Sequence, residues 1–531
     1  MIKLTGLVLF IALVFTACNN QTPKEFVVQP RDTTITVENS YNDLFLDSTA
    51  MEDYIAKQQV GDTLAQRIRS FYNSRNYQYA WFDSTGVAEY AGSFLNAQSQ
   101  YILYSKDSSL YNKDLQQLHD SLTSDSSKYQ IPGKKRLGTE LALTTQFFRY
   151  AFKAYVGDSS INLQDLGWFI PRKKTDMTGL LDSLISNKGK NLENYEPLNK
   201  QYNLLKEQLL KYYGYQKEGE WDSIFITKKF YKIGDTSAAL AKIKHRLYLT
   251  GDAAEDDTTL VFDTTLLTAV KHFQRRYGLK EDGAIGNDLL KEINRPIHHR
   301  IEQLLINMER MRWLPGNTDQ DYLLVNIPAY RLYVYEKGQL AWSMNVVVGS
   351  EAHSTVIFNG AMKYIVFSPY WNIPNSIVRN EINPAIQRNP NYLARNNMER
   401  FNGGIRQKPG PRNSLGLVKF LFPNSYNIYL HDTPSKGLFN EANRAFSHGC
   451  IRLAEPKRLA EYLLRKDSVW TPEKINDAMN AGKEKYVTLN PTVPVVIGYF
   501  TAWVDNEGQL NFRDDIYGHD KKLAEKMFTK K

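Results

Sequence analysis

The sequence has 531 residues, a length that suggests about three or four domains. Its composition, with 42% hydrophobic and 23% charged residues, is typical of a folded globular protein and disfavours long disordered regions. The formal net charge of +9 would suit an anionic partner, but the basic residues are scattered and no nucleic-acid-binding module is visible. We therefore expect no nucleic-acid partner.

The first eighteen residues have the pattern of an export signal. Lys3 precedes an apolar run over residues 4–15, and small residues then lead to Cys18. The run is too short for a transmembrane helix and is typical of a bacterial lipoprotein signal. The pattern predicts a signal peptide over residues 1–18, a lipid on Cys18 and a polar tether over residues 19–40. An ordinary secretory signal or an uncleaved anchor remains an alternative.

The chain has two cysteines, Cys18 and Cys450. If Cys18 carries lipid, Cys450 has no internal disulfide partner in an exported protein. A lone cysteine of this kind is either a buried inert residue or a reactive thiol. The residues around Cys450, described below, favour the reactive thiol.

The N-terminal half has mixed periodicity with helical stretches. Helical spacing of apolar residues occurs at 64–72, 137–155 and 204–213, and no catalytic pattern accompanies it. We predict a mostly helical scaffold domain over residues 41–232.

A separate small helical module is predicted over residues 234–294. Three helical faces are visible, and Gly278 and Gly283 suit a turn before the last helix. The stretch AVKHFQRRYGLKEDGAIGNDLLKEIN resembles the three-helix type of peptidoglycan-binding domain. A plain three-helix bundle without a ligand is the alternative interpretation.

Beyond a linking helix and turn at residues 295–319, the apolar period changes to two, which predicts a β-rich domain over residues 320–500. We expect a mixed sheet or a sandwich, within a multi-domain α+β fold. A long polar insertion at about 370–417 predicts a lid over an active site, with a disordered loop as the alternative. The lysine-rich end, residues 501–531, has the composition of a solvated tail.

The candidate catalytic residues lie after this insertion, at His431 and in the segment SHGCIRL of residues 447–453. A cysteine acyl-transfer enzyme needs a thiolate, a histidine near it and backbone N–H groups that face the developing oxyanion. Gly449 allows a sharp turn before the cysteine, so the N–H groups of Gly449 and Cys450 are candidate oxyanion donors. Both His431 and His448 are candidate partners of the thiol.

Zinc binding is the competing interpretation, because one cysteine and two histidines can hold zinc with an open position. The spacing lacks a second CxxC or HxxxH pair. We therefore expect no metal and no cofactor, and a coincidental cluster of structural residues remains the simplest alternative.

The SHGCIRL segment with His431 upstream resembles the active-site signature of the L,D-transpeptidases, which have the YkuD-type catalytic domain. Longer stretches such as YIVFSPYWNIPNSI and VKFLFPNSYNIYLHDTPSK resemble the large multi-domain Gram-negative members. The resemblance begins at about Tyr41 and is strongest over residues 320–465. The order of histidine before cysteine disfavours papain-like and NlpC-like peptidases.

This resemblance implies that Cys450 is the nucleophile and His431 the general base and acid. It implies that a backbone carbonyl can orient His431, and that Arg452 supports the site or contacts a substrate carboxylate, with a structural salt bridge as the alternative. Further site-support or pocket-lining residues are implied at Ser447, His448, Gly449, Trp371 and Tyr429.

The implied reaction joins two peptidoglycan stem peptides by a 3-3 cross-link. A thioester on Cys450 forms with release of D-alanine, and an amine of a second stem then receives the acyl group. Water as acceptor would give carboxypeptidase activity, and another amine could also be attached to the wall. The resemblance implies that the substrates are stem peptides, and together with the lipoprotein-type signal it predicts a periplasmic protein anchored to a membrane. The sequence does not identify a protein partner. A non-catalytic wall-binding lipoprotein, which no carbapenem would acylate, is the rival hypothesis.

Overall fold

The computed structural model describes residues 26–36, 38–39, 43–124, 131–190, 200–314 and 319–528. The predicted signal peptide and Cys18 lie outside these ranges. Within them, no helix has the length and apolar character needed to cross a membrane.

The chain divides into two compact units. The first consists of the described residues within Met1–Ala97, Leu110–Arg149 and Asp176–Leu192, and the second of those within Gln98–Ser109, Tyr150–Thr175 and Glu193–Lys531. The predicted scaffold domain over 41–232 is therefore not one unit. Its last part groups with the rest of the chain because the helix at Lys200–Glu218 packs on the helix at Ile297–Trp313.

The N-terminal part is mostly helical in its described residues, as predicted. Its elements in chain order are α1 (Ser48–Lys57), α2 (Asp62–Asn73), β1 (Phe82–Asp83), β2 (Gly86–Val87), α3 (Glu89–Ser105), α4 (Lys113–Ser124), α5 (Gly133–Ala151) and α6 (Met177–Ser186). Residues 26–36 correct the tether prediction, since Gln29 N–H donates to Ser70 Oγ at 3.0 Å and Asp32 N–H donates to the Asn73 carbonyl at 2.9 Å. These hydrogen bonds hold the segment along α2.

A buried carboxylate organises the first unit. Glu140 on α5 is fully buried and accepts hydrogen bonds from the N–H groups of Ala80 and Trp81 at 2.6 and 2.9 Å. The Tyr72 hydroxyl donates to it at 2.8 Å. Burial raises the pKa of Glu140 to about 7, and these donors oppose the rise.

The second unit contains the predicted three-helix module. Its helices are α7 (Lys200–Glu218), α8 (Ala238–Leu249), α9 (Thr264–Arg276), α10 (Asn287–Ile293) and α11 (Ile297–Trp313), with the module formed by α8 to α10. Ser237 and Asp263 cap α8 and α9 by accepting hydrogen bonds from the first-turn N–H groups of Ala239 and Leu266. Gly278 and Gly283 both have positive φ, at 68° and 72°, in the turn before α10.

Helix α11, predicted as a linker, is buried along most of its length. Buried charges on it are paired. Arg300 contacts Glu292 at 2.7 Å and Arg310 contacts Asp520 at 2.6 Å. The helix is therefore part of the core of the second unit.

The remainder of the chain is β-rich, as predicted. Its elements in chain order are β3 (Tyr322–Asn326), β4 (Arg331–Glu336), β5 (Gln339–Gly349), β6 (Phe358–Phe367), β7 (Trp371–Asn372), α12 (Asn375–Ile377), α13 (Asn383–Arg388), α14 (Tyr392–Arg395), β8 (Met398–Phe401), β9 (Gly404–Gln407), β10 (Val418–Leu421), β11 (Leu430–His431), β12 (Ala445–Ser447), β13 (Ile451–Leu453), α15 (Pro456–Leu464), α16 (Pro472–Asn480), β14 (Lys485–Gly498), β15 (Ala502–Val504), β16 (Leu510–Phe512) and α17 (His519–Phe528).

The main sheet is mixed and closes on itself. Strands β3, β4, β5, β13, β11, β10, β6 and β14 pair in that order, and β14 pairs back with β3. Strand β12 pairs in parallel with the last residues of β5. The prediction of a mixed sheet is confirmed, and its closure makes it a barrel whose interior holds alternate strand residues such as Leu332, Val346, Leu430 and Ile451.

The predicted polar insertion at 370–417, called the lid below, is an ordered subdomain. It contains a three-stranded sheet in the order β7-β9-β8, short helices and a π-helical turn at Val378–Ile382. Ile373, Ile382 and Ile405 form a small buried core of its own.

The prediction of a solvated tail at 501–531 is wrong for residues 501–528. Strands β15 and β16 pair with each other, and Phe512 and Leu523 are each 1% exposed. Each of these strands has only three residues, which is too short for an alternation of apolar residues to be recognised from sequence. In the structure β15 packs against α11 and β16 packs against α9.

Candidate active site

Two adjacent parallel strands bring the candidate residues together. In the register of β11 and β13, His431 lies beside Arg452 and Leu430 lies beside Ile451. Leu430 and Ile451 are fully buried in the barrel interior. Because side chains alternate along a strand, His431 and Arg452 face the other side of the sheet.

Cys450 directly precedes β13 and Tyr429 directly precedes β11, so alternation places both on that outer face. The rings of Tyr429 and His431 lie 5.7 Å apart between centroids. Cys450 interacts with Tyr429 and with Arg452. The four side chains Tyr429, His431, Cys450 and Arg452 thus form one patch.

His431 is held in a defined orientation. Its Nδ1 contacts the carbonyl oxygen of Asp432 at 2.5 Å, and a carbonyl oxygen only accepts, so Nδ1 carries the proton. Nε2 is then the nitrogen with a free lone pair. Burial lowers the pKa of His431 to about 4, helped by the charges of Arg452 and Lys419 and opposed by the Asp432 carbonyl. The imidazole is therefore neutral at physiological pH.

Cys450 is partly buried, and its Sγ lies 3.6 Å from the Asn427 carbonyl oxygen. Burial raises the pKa of the thiol above its ordinary value, while Tyr429 and the charge of Arg452 oppose the rise. The two partners of the proposed reaction thus rest as a neutral thiol and a neutral imidazole.

The turn before Cys450 is fixed by a buried hydroxyl. Ser447 Oγ donates to the Cys450 carbonyl at 2.6 Å and accepts from the Gly449 N–H at 3.1 Å. Thr355 Oγ1 donates to the Gly449 carbonyl at 2.9 Å. Gly449 has a φ of 106°, which a residue with a Cβ rarely adopts. These contacts explain the Ser and Gly of the SHGC segment.

Asp432 is a positioning residue that the sequence analysis missed. Its buried carboxylate accepts hydrogen bonds from the Thr433 N–H at 2.7 Å, the Leu417 N–H at 2.8 Å and Lys436 Nζ at 2.6 Å. Through these contacts Asp432 links the end of β11, which carries His431, to Leu417 at the end of the lid. The signal in the sequence was an acidic residue directly after the candidate histidine.

Lys419 was also missed. It lies directly opposite His431 in the register of β10 and β11, on the same outer face. Its Nζ donates to the Tyr370 carbonyl at 3.3 Å and lies 3.7 Å from Glu484. A lysine between the apolar residues of VKFLF was the available signal.

The lid meets the SHGC segment through His448. Its Nε2 lies 3.7 Å from Glu381 Oε1, and both side chains are more than half exposed. Its ring lies 4.8 Å from that of His353. Trp371 instead packs on the buried core of the lid. In the described part of the chain, no three His, Cys, Asp or Glu side chains gather as a metal site.

Three protein families match the chain. The family described as "L,D-transpeptidase catalytic domain" (YkuD) matches residues 320–472. The "Scaffold domain" family matches residues 66–209, and the family "Putative peptidoglycan binding domain" matches residues 236–293.

A relative from Haemophilus influenzae, described as "Putative L,D-transpeptidase", is 32% identical over 243 residues. The match covers 42% of this chain and 49% of that protein, so the chain spans about half the length of the curated relative it matches.

Two solved structures are also similar. An L,D-transpeptidase of Stackebrandtia nassauensis is 12% identical with a TM-score of 0.23, covering 52% of this chain and 98% of that chain. The L,D-transpeptidase (residues 123–326) of Xylanimonas cellulosilytica is 14% identical with a TM-score of 0.21, covering 52% and 100%.

The family matches agree with the two regions that the sequence singled out. Residues 320–472, which hold Cys450 and His431, match the L,D-transpeptidase catalytic domain, and residues 236–293 match the family of putative peptidoglycan-binding domains.

Proposed function

We propose that this protein is a peptidoglycan L,D-transpeptidase that forms 3-3 cross-links through a thioester on Cys450. The observation that carries the proposal is the parallel pairing of β11 with β13, in which His431 lies beside Arg452 and Cys450 directly precedes β13. A buried imidazole whose Nδ1 is fixed by a carbonyl supports its role as the base.

The first half-reaction acylates the thiol. Cys450 Sγ attacks the carbonyl carbon of the diamino acid at the third position of a tetrapeptide stem, and His431 Nε2 takes the thiol proton. The bond to the fourth residue breaks, and the same proton passes to the nitrogen of the leaving D-alanine. Because the thiol and the imidazole rest neutral, this proton moves only as the substrate is attacked.

The negative charge that develops on the substrate carbonyl oxygen needs a hydrogen-bond donor from the turn that precedes Cys450. Since the Gly449 N–H donates to Ser447 Oγ, the Cys450 N–H is the candidate donor. The positive charge of Arg452 beside the thiol supports the same transition state or a substrate carboxylate. The second half-reaction transfers the acyl group to the side-chain amine of another stem.

The location follows from the same proposal. We infer a cell-envelope protein in the periplasm, held to a membrane by a lipid on Cys18 if the signal is cleaved as its pattern predicts. The peptidoglycan-binding domain would keep the catalytic domain near its substrate and raise the local acceptor concentration.

The test is product analysis of the purified protein with tetrapeptide-rich muropeptides by mass spectrometry. The proposal predicts a cross-linked dimer with loss of one D-alanine, and no product from Cys450→Ala. Tripeptide alone would support the L,D-carboxypeptidase alternative, and a dimer built on a different amine would support attachment of another group.

Absence of dimer and tripeptide from a folded wild-type protein would overturn the enzyme proposal. The chain would then fit a wall-binding protein, whose binding to isolated sacculi should be the same for wild type and Cys450→Ala.

A further inference from the structure

The lid is strongly basic. Its residues 370–417 include seven Lys or Arg side chains and two acidic ones, Glu381 and Glu399. A basic lid favours substrates that carry several carboxylates, as stem peptides do. The two acidic residues therefore stand out, and their surroundings differ.

Glu399 is already neutralised within the lid. Its carboxylate contacts Arg406 at 2.7 Å and Lys408 at 3.1 Å. Glu381 is 58% exposed, and the one ion-pair contact recorded for it in the described chain is with His448. Glu381 is thus the lid carboxylate that faces the SHGC segment with no lysine or arginine paired to it.

The backbone fixes Glu381 in this place. It lies in the π-helical turn Val378–Ile382, and the next residue, Ile382, is buried in the core of the lid. Single π-helical turns are frequent at functional sites. His448 on the other side lies two residues before Cys450, in the turn held by Ser447.

The gap between the two side chains has a size that suits a ligand nitrogen. Glu381 Oε1 and His448 Nε2 are 3.7 Å apart, longer than a direct N–H···O hydrogen bond. A cationic nitrogen about 2.9 Å from each atom would donate to both. A ring nitrogen without a proton and a carboxylate oxygen can both accept a hydrogen bond from such a group.

The charges near the thiol create a need for this contact. Arg452 interacts with Cys450, and Lys419 lies opposite His431. The acceptor in the proposed reaction is a side-chain amine, which is an ammonium near neutral pH. Lys419 already has Glu484 3.7 Å away, so a carboxylate on the lid would mainly offset the repulsion between that ammonium and Arg452.

We propose that Glu381 and His448 bind the side-chain ammonium of the acceptor stem and thereby favour an amine over water as the acyl acceptor. This inference rests on the proposed function and names the groups that select its second substrate. Glu381 is a specificity-determining residue on the lid, while the thiol and its base lie on the barrel.

The step that follows is balanced in atoms and protons. The bound ammonium loses one proton to solvent and becomes the attacking amine. Its nitrogen forms a bond to the thioester carbonyl carbon, and the bond from that carbon to Cys450 Sγ breaks. The second amine proton passes through His431 to the thiolate, which restores the thiol and the neutral imidazole.

The experiment compares wild type, Glu381→Gln and Glu399→Gln with purified disaccharide-tetrapeptide as both donor and acceptor. Intact-mass analysis follows the acyl-enzyme, and product analysis gives the ratio of cross-linked dimer to hydrolysed tripeptide. Glu381→Gln should acylate at the wild-type rate but lower the dimer-to-tripeptide ratio about tenfold or more, the effect of losing one charge-assisted hydrogen bond.

Glu399→Gln should keep the wild-type ratio, which controls for loss of a lid carboxylate. A wild-type ratio in Glu381→Gln would overturn the inference while leaving the proposed function intact. Equal loss of acylation and dimer would also overturn it, because it would indicate a structural role in the lid. No acyl-enzyme in wild type would overturn the proposed function and this inference with it.

Discussion

The barrel and the lid of the catalytic domain are built in different ways. The barrel holds His431 at the end of β11 and Cys450 directly before the neighbouring β13, next to the fully buried Leu430 and Ile451. The lid has a core of three buried isoleucines and carries Glu381 on an exposed turn. The proposed nucleophile and base thus lie on the part with the larger core, and acceptor selection is proposed for the part with the smaller one.

This difference suits the two demands of the proposed acyl transfer. A nucleophile and its base need geometry held within fractions of an ångström, which packed strands provide. Admission of two stems in turn needs a surface that can move with little loss of stability, and small cores with polar anchors open more easily. Substitutions in the two regions should therefore separate acylation from acceptor transfer.

The largest effect is expected at the base. His431→Gln removes the imidazole that is proposed to receive the thiol proton, so the acylation rate should fall by about 10²–10⁴-fold. Mass spectrometry of the acyl-enzyme at timed intervals measures this rate. His298→Gln, which removes an exposed imidazole from α11, should acylate like wild type.

Similar rates for His431→Gln and wild type would break the comparison, since the barrel would then not supply the base.

The pH dependence of the free thiol sharpens the same point. Because burial raises the pKa of Cys450, the thiolate fraction at pH 7 is small and should increase about tenfold per pH unit up to pH 9. His431, with a pKa of about 4, stays neutral throughout this range and forms no ion pair with the thiolate. Iodoacetamide alkylation from pH 6 to 9, followed by intact mass, measures the slope.

A flat alkylation profile over that range would contradict this prediction, because it would indicate a thiolate–imidazolium pair in the resting protein.

The junction between barrel and lid should give an intermediate effect. Asp432→Asn keeps the shape but removes the charge that holds Lys436 and replaces one oxygen acceptor of backbone N–H groups. Loss of this positioning should lower the acylation rate about tenfold, the effect of roughly 1.4 kcal/mol in the transition state. Acylation kinetics with a circular-dichroism melt measure it.

Lys436→Met is the matched control, because it removes the same ion pair but leaves the Asp432 carboxylate to the backbone donors. It should change the rate by less than about threefold. An effect as large as that of Asp432→Asn would indicate that acylation depends on the ion pair with Lys436 and not on the hydrogen bonds from backbone N–H groups to Asp432.

The smallest effect on chemistry is expected from the core of the lid. Ile405→Ala should destabilise the lid by about 2–5 kcal/mol, because a buried isoleucine leaves a cavity. Iodoacetamide should still alkylate Cys450 within about twofold of the wild-type rate, while dimer formation falls. Hydrogen exchange of the lid peptides provides the structural measurement.

Ile451→Ala is the matched change in the barrel, next to Cys450. It should slow alkylation of the folded protein and lower its melting temperature. If the two alanine variants show the same changes in alkylation and stability, the lid does not unfold independently of the barrel.

Much of the barrel was predictable because period-two alternation of apolar residues marks half-buried strands. The predicted β-rich region over residues 320–500 contains the strands β3 to β14. The pairing of His431 with Cys450 was not readable from spacing, since parallel strands meet only through the whole sheet. It entered as an implication of the SHGCIRL resemblance.

The parts that could not be predicted have a common physical cause. The isoleucines of the lid core, Ile373, Ile382 and Ile405, are far apart in sequence, so no local pattern connects them. The strands β15 and β16 are three residues long, which is too short for a periodic signal. Asp432 depends on donors from a distant loop, at Leu417.

The most direct test of the central claim is intact-mass analysis of the purified protein incubated with a stem tetrapeptide. The account predicts a covalent adduct on Cys450 whose mass is that of the tetrapeptide less D-alanine, and none on Cys450→Ala. A folded wild-type protein that never carries this adduct, or an adduct that persists in Cys450→Ala, would contradict it.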